Sequence, residues 1–122
     1  DVTHKVRLYR HSLYEKVRSS KTRVAQFIQD CTEFYMDFHK ENEGFDGCYL
    51  HDPLAVGVAI WPDLVKCEEL HVEVETSGRL TTGMTVADFR PRRSSLVKPN
   101  ANVCMDVDAD KFLKLFSERV LR

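Results

Sequence analysis

No CxxC pair, no apolar run of bilayer length and no excess of either charge sign occurs in these 122 residues. Each absence removes a class of function. The four cysteines, Cys31, Cys48, Cys67 and Cys104, are scattered, which argues against a zinc ribbon or a dithiol redox motif and favours reduced thiols, with two disulfides as the alternative. The apolar stretches fall short of the roughly 20 residues that cross a bilayer. The first residues show neither a basic segment followed by an apolar one nor a small-residue cleavage site. The expectation is a soluble, cytoplasmic protein with no membrane partner.

Charge and size add two bounds. With 18 basic residues against 19 acidic ones, the balance does not point to nucleic acid. A charged fraction of 30% and a hydrophobic fraction of 43% are ordinary for a globular chain. The length suits one core but is short for a complete doubly wound enzyme. Neither an internal repeat nor a low-complexity linker marks a second domain boundary.

What is present is periodicity. Ser12 offers a start for a short helix over Leu13, Tyr14 and Val17, and Ser19-Ser20 offers the next. Val24, Phe27, Ile28, Cys31, Phe34, Tyr35 and Phe38 recur at steps of three and four. That spacing predicts a helix from about Lys21 to Glu43, with this face buried and Gly44 closing it. Pro53 to Trp61 is apolar all round, so periodicity leaves helix and strand open; Asp52-Pro53 favours a helix and Pro62 ends it. Alternation predicts strands at Leu70, Val72 and Val74, from Leu80 to Phe89 with a break at Gly83, and at Val103, Met105 and Val107. Asp108 then caps a final helix whose apolar face carries Phe112, Leu115, Phe116 and Val120. This order reads as an α+β domain or as the end of a larger α/β fold.

Chemistry concentrates in Gly47-Cys48-Tyr49-Leu50-His51-Asp52-Pro53-Leu54-Ala55-Val56. There a proton donor, His51, stands beside a hard-metal ligand, Asp52, at the mouth of an apolar element. A plainer reading stands next to it, since Asp is a favoured N-cap and Pro a favoured first helical residue. Upstream, Tyr35, His39 and Glu43 are four apart and stack on one helix face; for His39 and Glu43 a solvated face is an equal alternative. Arg90, Arg92, Arg93 and Lys98 form a basic loop without interleaved aromatics and read as solvated. Glu73 and Glu75 read as the wet side of a strand.

The stretch from Gly44 to Leu64 resembles the C-terminal part of the inosine-uridine preferring nucleoside hydrolases, in which a His-Asp pair ends a loop and opens a helix. The likeness continues through Val72-Glu73-Val74-Glu75-Thr76-Ser77-Gly78, Leu80-Thr81, Gly83-Met84-Thr85-Val86-Ala87-Asp88 and the segment from Val103 to Leu121. The opening Asp1-Val2-Thr3-His4-Lys5-Val6 is similar to the family's Asn-Val-Thr-His-Gln type of segment, with Asp1 and Lys5 departing from it. The resemblance implies an α/β fold in which residues 1–122 are the C-terminal portion of an open, mostly parallel nucleoside hydrolase-like sheet with flanking helices. It implies an enzyme cleaving purine or pyrimidine ribonucleosides to ribose and free base, as in nucleoside salvage. Calcium (Ca2+) would hold the ribose hydroxyls and acidify the attacking water. Asp52 matches the family's C-terminal calcium ligand, and His51 the His beside the leaving base. Tyr35, His39 and Glu43 lie on the face that lines the base pocket, although His39 stands where Tyr is usual and Glu43 is unusual there.

The family's Asp-rich metal motif and its ribose-binding Glu and Asn residues are not in this chain. Calcium sites gather about 6 to 8 oxygens, so tight calcium binding and turnover are not expected of residues 1–122 alone. The first residue, not Met, reads as a processed or truncated boundary. The rival reading is a noncatalytic interaction or oligomerisation module derived from the enzyme. The partners implied are a ribonucleoside and no nucleic acid, with a homo-oligomer left open.

Overall fold

The computed structural model describes residues 2–20, 22–90 and 97–122. Two compact units divide the chain: one comprises Asp1–Val65 and Asp106–Arg122, the other Lys66–Met105.

In the first unit, a 3-10 turn at Val2–Lys5 leads into strand β1, Arg7–Tyr9, and helix α1, Arg10–Ser19. Helix α1 begins two residues before the Ser12 start expected from the sequence, and its N-cap Tyr9 makes no side-chain cap. Leu13 and Val17 are buried, as their spacing requires. Helix α2 spans Arg23–Glu43, capped by Thr22, whose hydroxyl accepts from Ala25 N at 3.2 Å. The expected start at Lys21 lies outside the described residues. Gly44 closes α2 at φ 74, in the left-handed region that a Cβ disfavours.

The buried face of α2 differs from the expected one. Ala25, Met36 and His39 are buried, with Ile28 and Tyr35 partly so, while Val24, Phe27, Phe34 and Phe38 are exposed. At about 100° per residue the two stripes lie roughly a third of a turn apart on the helix. Both are rich in apolar groups, and the one beginning at Ala25 packs on the core.

Strand β2, Gly47–Tyr49, pairs antiparallel with β1, Leu8 facing Cys48. Neither three-residue strand was legible by alternation, which needs a longer run. Arg10 braces this pair against α2, reaching Asp46 at 2.7 Å and Asp37 at 2.5 Å. Helix α3, His51–Ile60, is the helix favoured by Asp52-Pro53, but its N-cap is Leu50, so Asp52 sits in the first turn and caps nothing. A 3-10 turn at Pro62–Leu64 follows. Helix α4, Ala109–Val120, is capped by Asp108, which accepts from Lys111 N at 3.0 Å. Phe112 of α4 meets α3 at Gly57 and joins Val6, Leu13, Met36, Leu54 and Leu64 in the core.

Strand β3 is Val65–Leu70 and strand β4 Val72–Val74, so His71 divides the strand expected there. The run from Leu80 to Phe89 shortens to β5, Thr85–Ala87, because residues 78–83 form a turn in which Gly83 has φ 88. Strand β6 is Ala101–Val107. β4 and β5 pair antiparallel, Val72 with Ala87. β3 pairs with β6, running oppositely between Asp108 N to Leu64 O at 2.9 Å and Asn100 N to Leu70 O at 3.1 Å. The side-chain amide of Asn100 bonds Val72 N at 2.8 Å and Val72 O at 2.9 Å. Among the described residues the ladders are thus short antiparallel pairs.

Candidate functional site

Five side chains singled out from the sequence, Tyr35, His39, Glu43, His51 and Asp52, come from the second half of α2 and the start of α3. One strand residue joins the groups they belong to. Tyr49 of β2 donates its hydroxyl to Glu43 Oε2 at 2.8 Å, and its ring lies 4.9 Å from His39 and 5.6 Å from His51. β2 ends at Tyr49 and α3 begins at His51, so no single periodicity linked the two, and only closeness in the chain pointed to Tyr49.

His39 is 4% exposed, which removes the solvated-face reading. Its Nδ1 donates to Glu43 Oε1 at 3.0 Å, one helical turn away. The ring is enclosed by Tyr35, Phe45 and Tyr49 at 4.5, 5.2 and 4.9 Å between centroids. Its Nε2 has no hydrogen-bond partner among the described residues. The Tyr49 hydroxyl, and then His39, hold the Glu43 carboxyl below its ordinary range. The same bond from Tyr49 to Glu43 pushes the Tyr49 phenol up. Burial raises Tyr35, with the charges of Cys48, Glu43 and Asp52 adding to it.

His51 Nδ1 meets Thr3 Oγ1 at 2.5 Å, and His4 lies 5.5 Å from the His51 ring and 4.7 Å from Tyr49. Thr3 and His4 of the opening segment thus reach His51 and Tyr49, a contact that no sequence spacing links to them. Arg7 covers the Phe45 and Tyr49 rings at 5.3 and 5.6 Å. Asp52, an exposed carboxylate in the first turn of α3, lies where the helix dipole favours negative charge and a hard cation finds an oxygen donor. No group of three or more His, Cys, Asp or Glu suited to a metal occurs among the described residues. A lone carboxylate supplies only a small part of the about 6 to 8 oxygens a calcium ion gathers.

The other acidic and basic candidates take structural roles. His71 Nε2 bonds Glu73 at 2.9 Å and its Nδ1 bonds Lys98 O at 2.9 Å. Glu75 accepts from Ser77 N and Gly78 N, closing a turn. Arg90 pairs with Asp88 at 2.7 Å, and Arg92 and Arg93 lie outside the described residues. A cavity of about 550 Å³ beside β4 and β5 is lined by His71, Glu73, Asp88 and Arg90, whose charges are paired with one another.

Mixed helices and strands, with polar side chains converging from a helix end, a strand and a helix start, define one rim of an α/β fold. The chain belongs to the inosine-uridine preferring nucleoside hydrolase family, whose description it matches over residues 1–114. It is 37% identical over 121 residues to the pyrimidine-specific ribonucleoside hydrolase RihA of Salmonella newport and 36% to that of Citrobacter koseri, covering 98% of this chain and 38% of each relative. Among solved structures, a plant nucleoside hydrolase superposes with a TM-score of 0.85 at 25% identity, covering 98% of this chain and 39% of its own. A purine-preferring ribonucleoside hydrolase from Gardnerella vaginalis does so with 0.81 at 32%, covering 98% and 37%. The chain spans about 38% of the length of the curated relatives it matches.

Proposed function

We propose that residues 1–122 are the C-terminal portion of a cytoplasmic nucleoside hydrolase that cleaves purine or pyrimidine ribonucleosides to ribose and free base. The observation that carries this reading is the convergence of His51 and Tyr49 with the Tyr35, His39 and Glu43 face of α2, beside Asp52. Free cysteines suit a reducing compartment. Relatives named for pyrimidine, purine and inosine-guanosine substrates share the N-ribosyl bond rather than one base.

Departure of the base needs a proton or a hydrogen bond at a ring nitrogen or oxygen. Where the Thr3 hydroxyl donates to His51 Nδ1, the other ring nitrogen, Nε2, is the one left to offer a proton to the leaving base. Tyr35 gives the base an apolar wall, and Glu43 fixes His39 and Tyr49 behind it. Asp52 would give one carboxylate oxygen to calcium. Calcium, when bound, supplies positive charge for the ribose hydroxyls and for water ionisation.

In the protein carrying this chain together with the rest of the hydrolase fold, His51→Ala should slow inosine and uridine cleavage on the order of 10² to 10⁴. It should spare nitrophenyl riboside, whose leaving group needs no proton. Asp52→Ala should weaken calcium binding and depress both reactions. Equal losses of both substrates in His51→Ala would remove His51 from leaving-group assistance. A second reading, an interaction module, draws on the exposed Phe27, Phe34 and Phe38 stripe; base release undetectable in the unsubstituted protein would select it.

A further inference from the structure

Cys67 and Cys104 are 37 positions apart, and neither belongs to a motif. Pairing of β3 with β6 alone brings them together. Their sulfurs lie 3.6 Å apart, in direct van der Waals contact. Cys67 is exposed and Cys104 half-buried, so a small reagent reaches one sulfur from solvent while the second waits behind it. A disulfide brings its sulfurs to about 2.05 Å, so this pair has to close from 3.6 Å. The other two thiols contrast with this pair. Cys48 lies in the core with its pKa pushed up to about 11 by burial, and Cys31 stands on the far side of the sequence, on α2 in the other unit.

We propose that Cys67 and Cys104 form a reversible disulfide-forming site that takes a low-molecular-weight disulfide such as oxidised glutathione as its co-reactant. The Cys67 thiolate attacks one glutathione sulfur and expels the other glutathione as thiolate, leaving a mixed disulfide on Cys67. Cys104 gives its proton to solvent, attacks the Cys67 sulfur and expels the second glutathione. Two protein thiols are thereby oxidised and one glutathione disulfide is reduced to two thiols. Burial and the neighbouring Cys67 hold the Cys104 thiol above its ordinary range, in keeping with Cys67 reacting first. The bond staples β3 to β6, the strands that open and close the Lys66–Met105 unit. Oxidation therefore restrains that unit against local opening, and reduction releases it.

The test is exposure of the purified protein to oxidised glutathione, followed by alkylation of remaining thiols and peptide mapping by mass spectrometry. The expected product joins the Cys67 and Cys104 peptides with loss of two hydrogens, and dithiothreitol reverses it. In Cys104→Ser the mixed disulfide on Cys67 should persist, because the resolving sulfur is gone. Amide exchange in β3 and β6 should slow on oxidation of the unsubstituted protein and stay unchanged in Cys104→Ser. A mixed disulfide on Cys67 equally long-lived in both proteins would overturn the proposal. So would recovery of both cysteines as separate alkylated peptides, or a cross-link to Cys31 or Cys48.

Discussion

Glu43 is the residue on which the candidate rim turns, since its two oxygens take hydrogen bonds from Tyr49 and His39. Its carboxyl is held below the ordinary value in the folded chain, so its contribution to stability is present above the unfolded carboxyl pKa of about 4.3 and fades as pH falls through the folded value. Glu43→Gln should therefore lower the melting temperature at neutral pH, with the gap to the unsubstituted protein narrowing under acid. The same substitution should lower the Tyr49 pKa, because the bond to the carboxylate is what raises it; ultraviolet titration of the tyrosinate reads this directly. A melting difference that grows on acidification would contradict the assignment. Sequence spacing placed Tyr35, His39 and Glu43 on one helix face, since that follows from the helical repeat alone. It left burial open at His39, because enclosure by Phe45 and Tyr49 is set by chain segments beyond α2. It gave Asp52 a capping alternative that the structure removes, since Leu50 takes that position.

Elements with long repeats or strong caps were legible: the end of α2 at Gly44, the Asp108 cap of α4 and the helical state of α3 all follow from local chemistry. The strands β1 and β2 were not, because three residues carry no measurable alternation and their pairing is fixed by contacts across the unit. Helix α3 shows how packing overrides local preference. An Ala in place of Gly57 would favour the helix by about 1 kcal/mol. Its Cβ would lie 2.5 Å from Cε2 of Phe112, a ring that is 2% exposed, and such overpacking costs about 1 to 3 kcal/mol. Steric cost should win, so Gly57→Ala should melt below the unsubstituted protein. Phe112→Leu should be less damaging in the Gly57→Ala background than alone, and a thermal double-mutant cycle measures that coupling. Additive effects of the two substitutions would show that the ring does not oppose the new methyl group.

At the scale of the whole chain, the long helix carries more apolar surface than the described residues cover. Sequence periodicity identified its apolar side as a single broad band, and only packing divides that band into a buried stripe from Ala25 to His39 and an exposed one. Phe27, Phe34 and Phe38 are 67%, 84% and 50% exposed, with Val24 beside them and Val56 and Ile60 of α3 similarly open. Contiguous apolar surface of this kind drives association and binds hydrophobic dyes. The purified 122-residue chain should accordingly enhance the fluorescence of such a dye and sediment as species larger than a monomer. Joint substitution of Phe27→Glu and Phe34→Glu should reduce both signals while leaving helical content unchanged, since Glu is a good helix former and neither side chain reaches the core. In the protein carrying the rest of the hydrolase fold, the dye signal should fall without any substitution if that remainder covers the stripe. A monodisperse 122-residue monomer without dye binding would show that these side chains shield one another well enough to leave no cohesive patch.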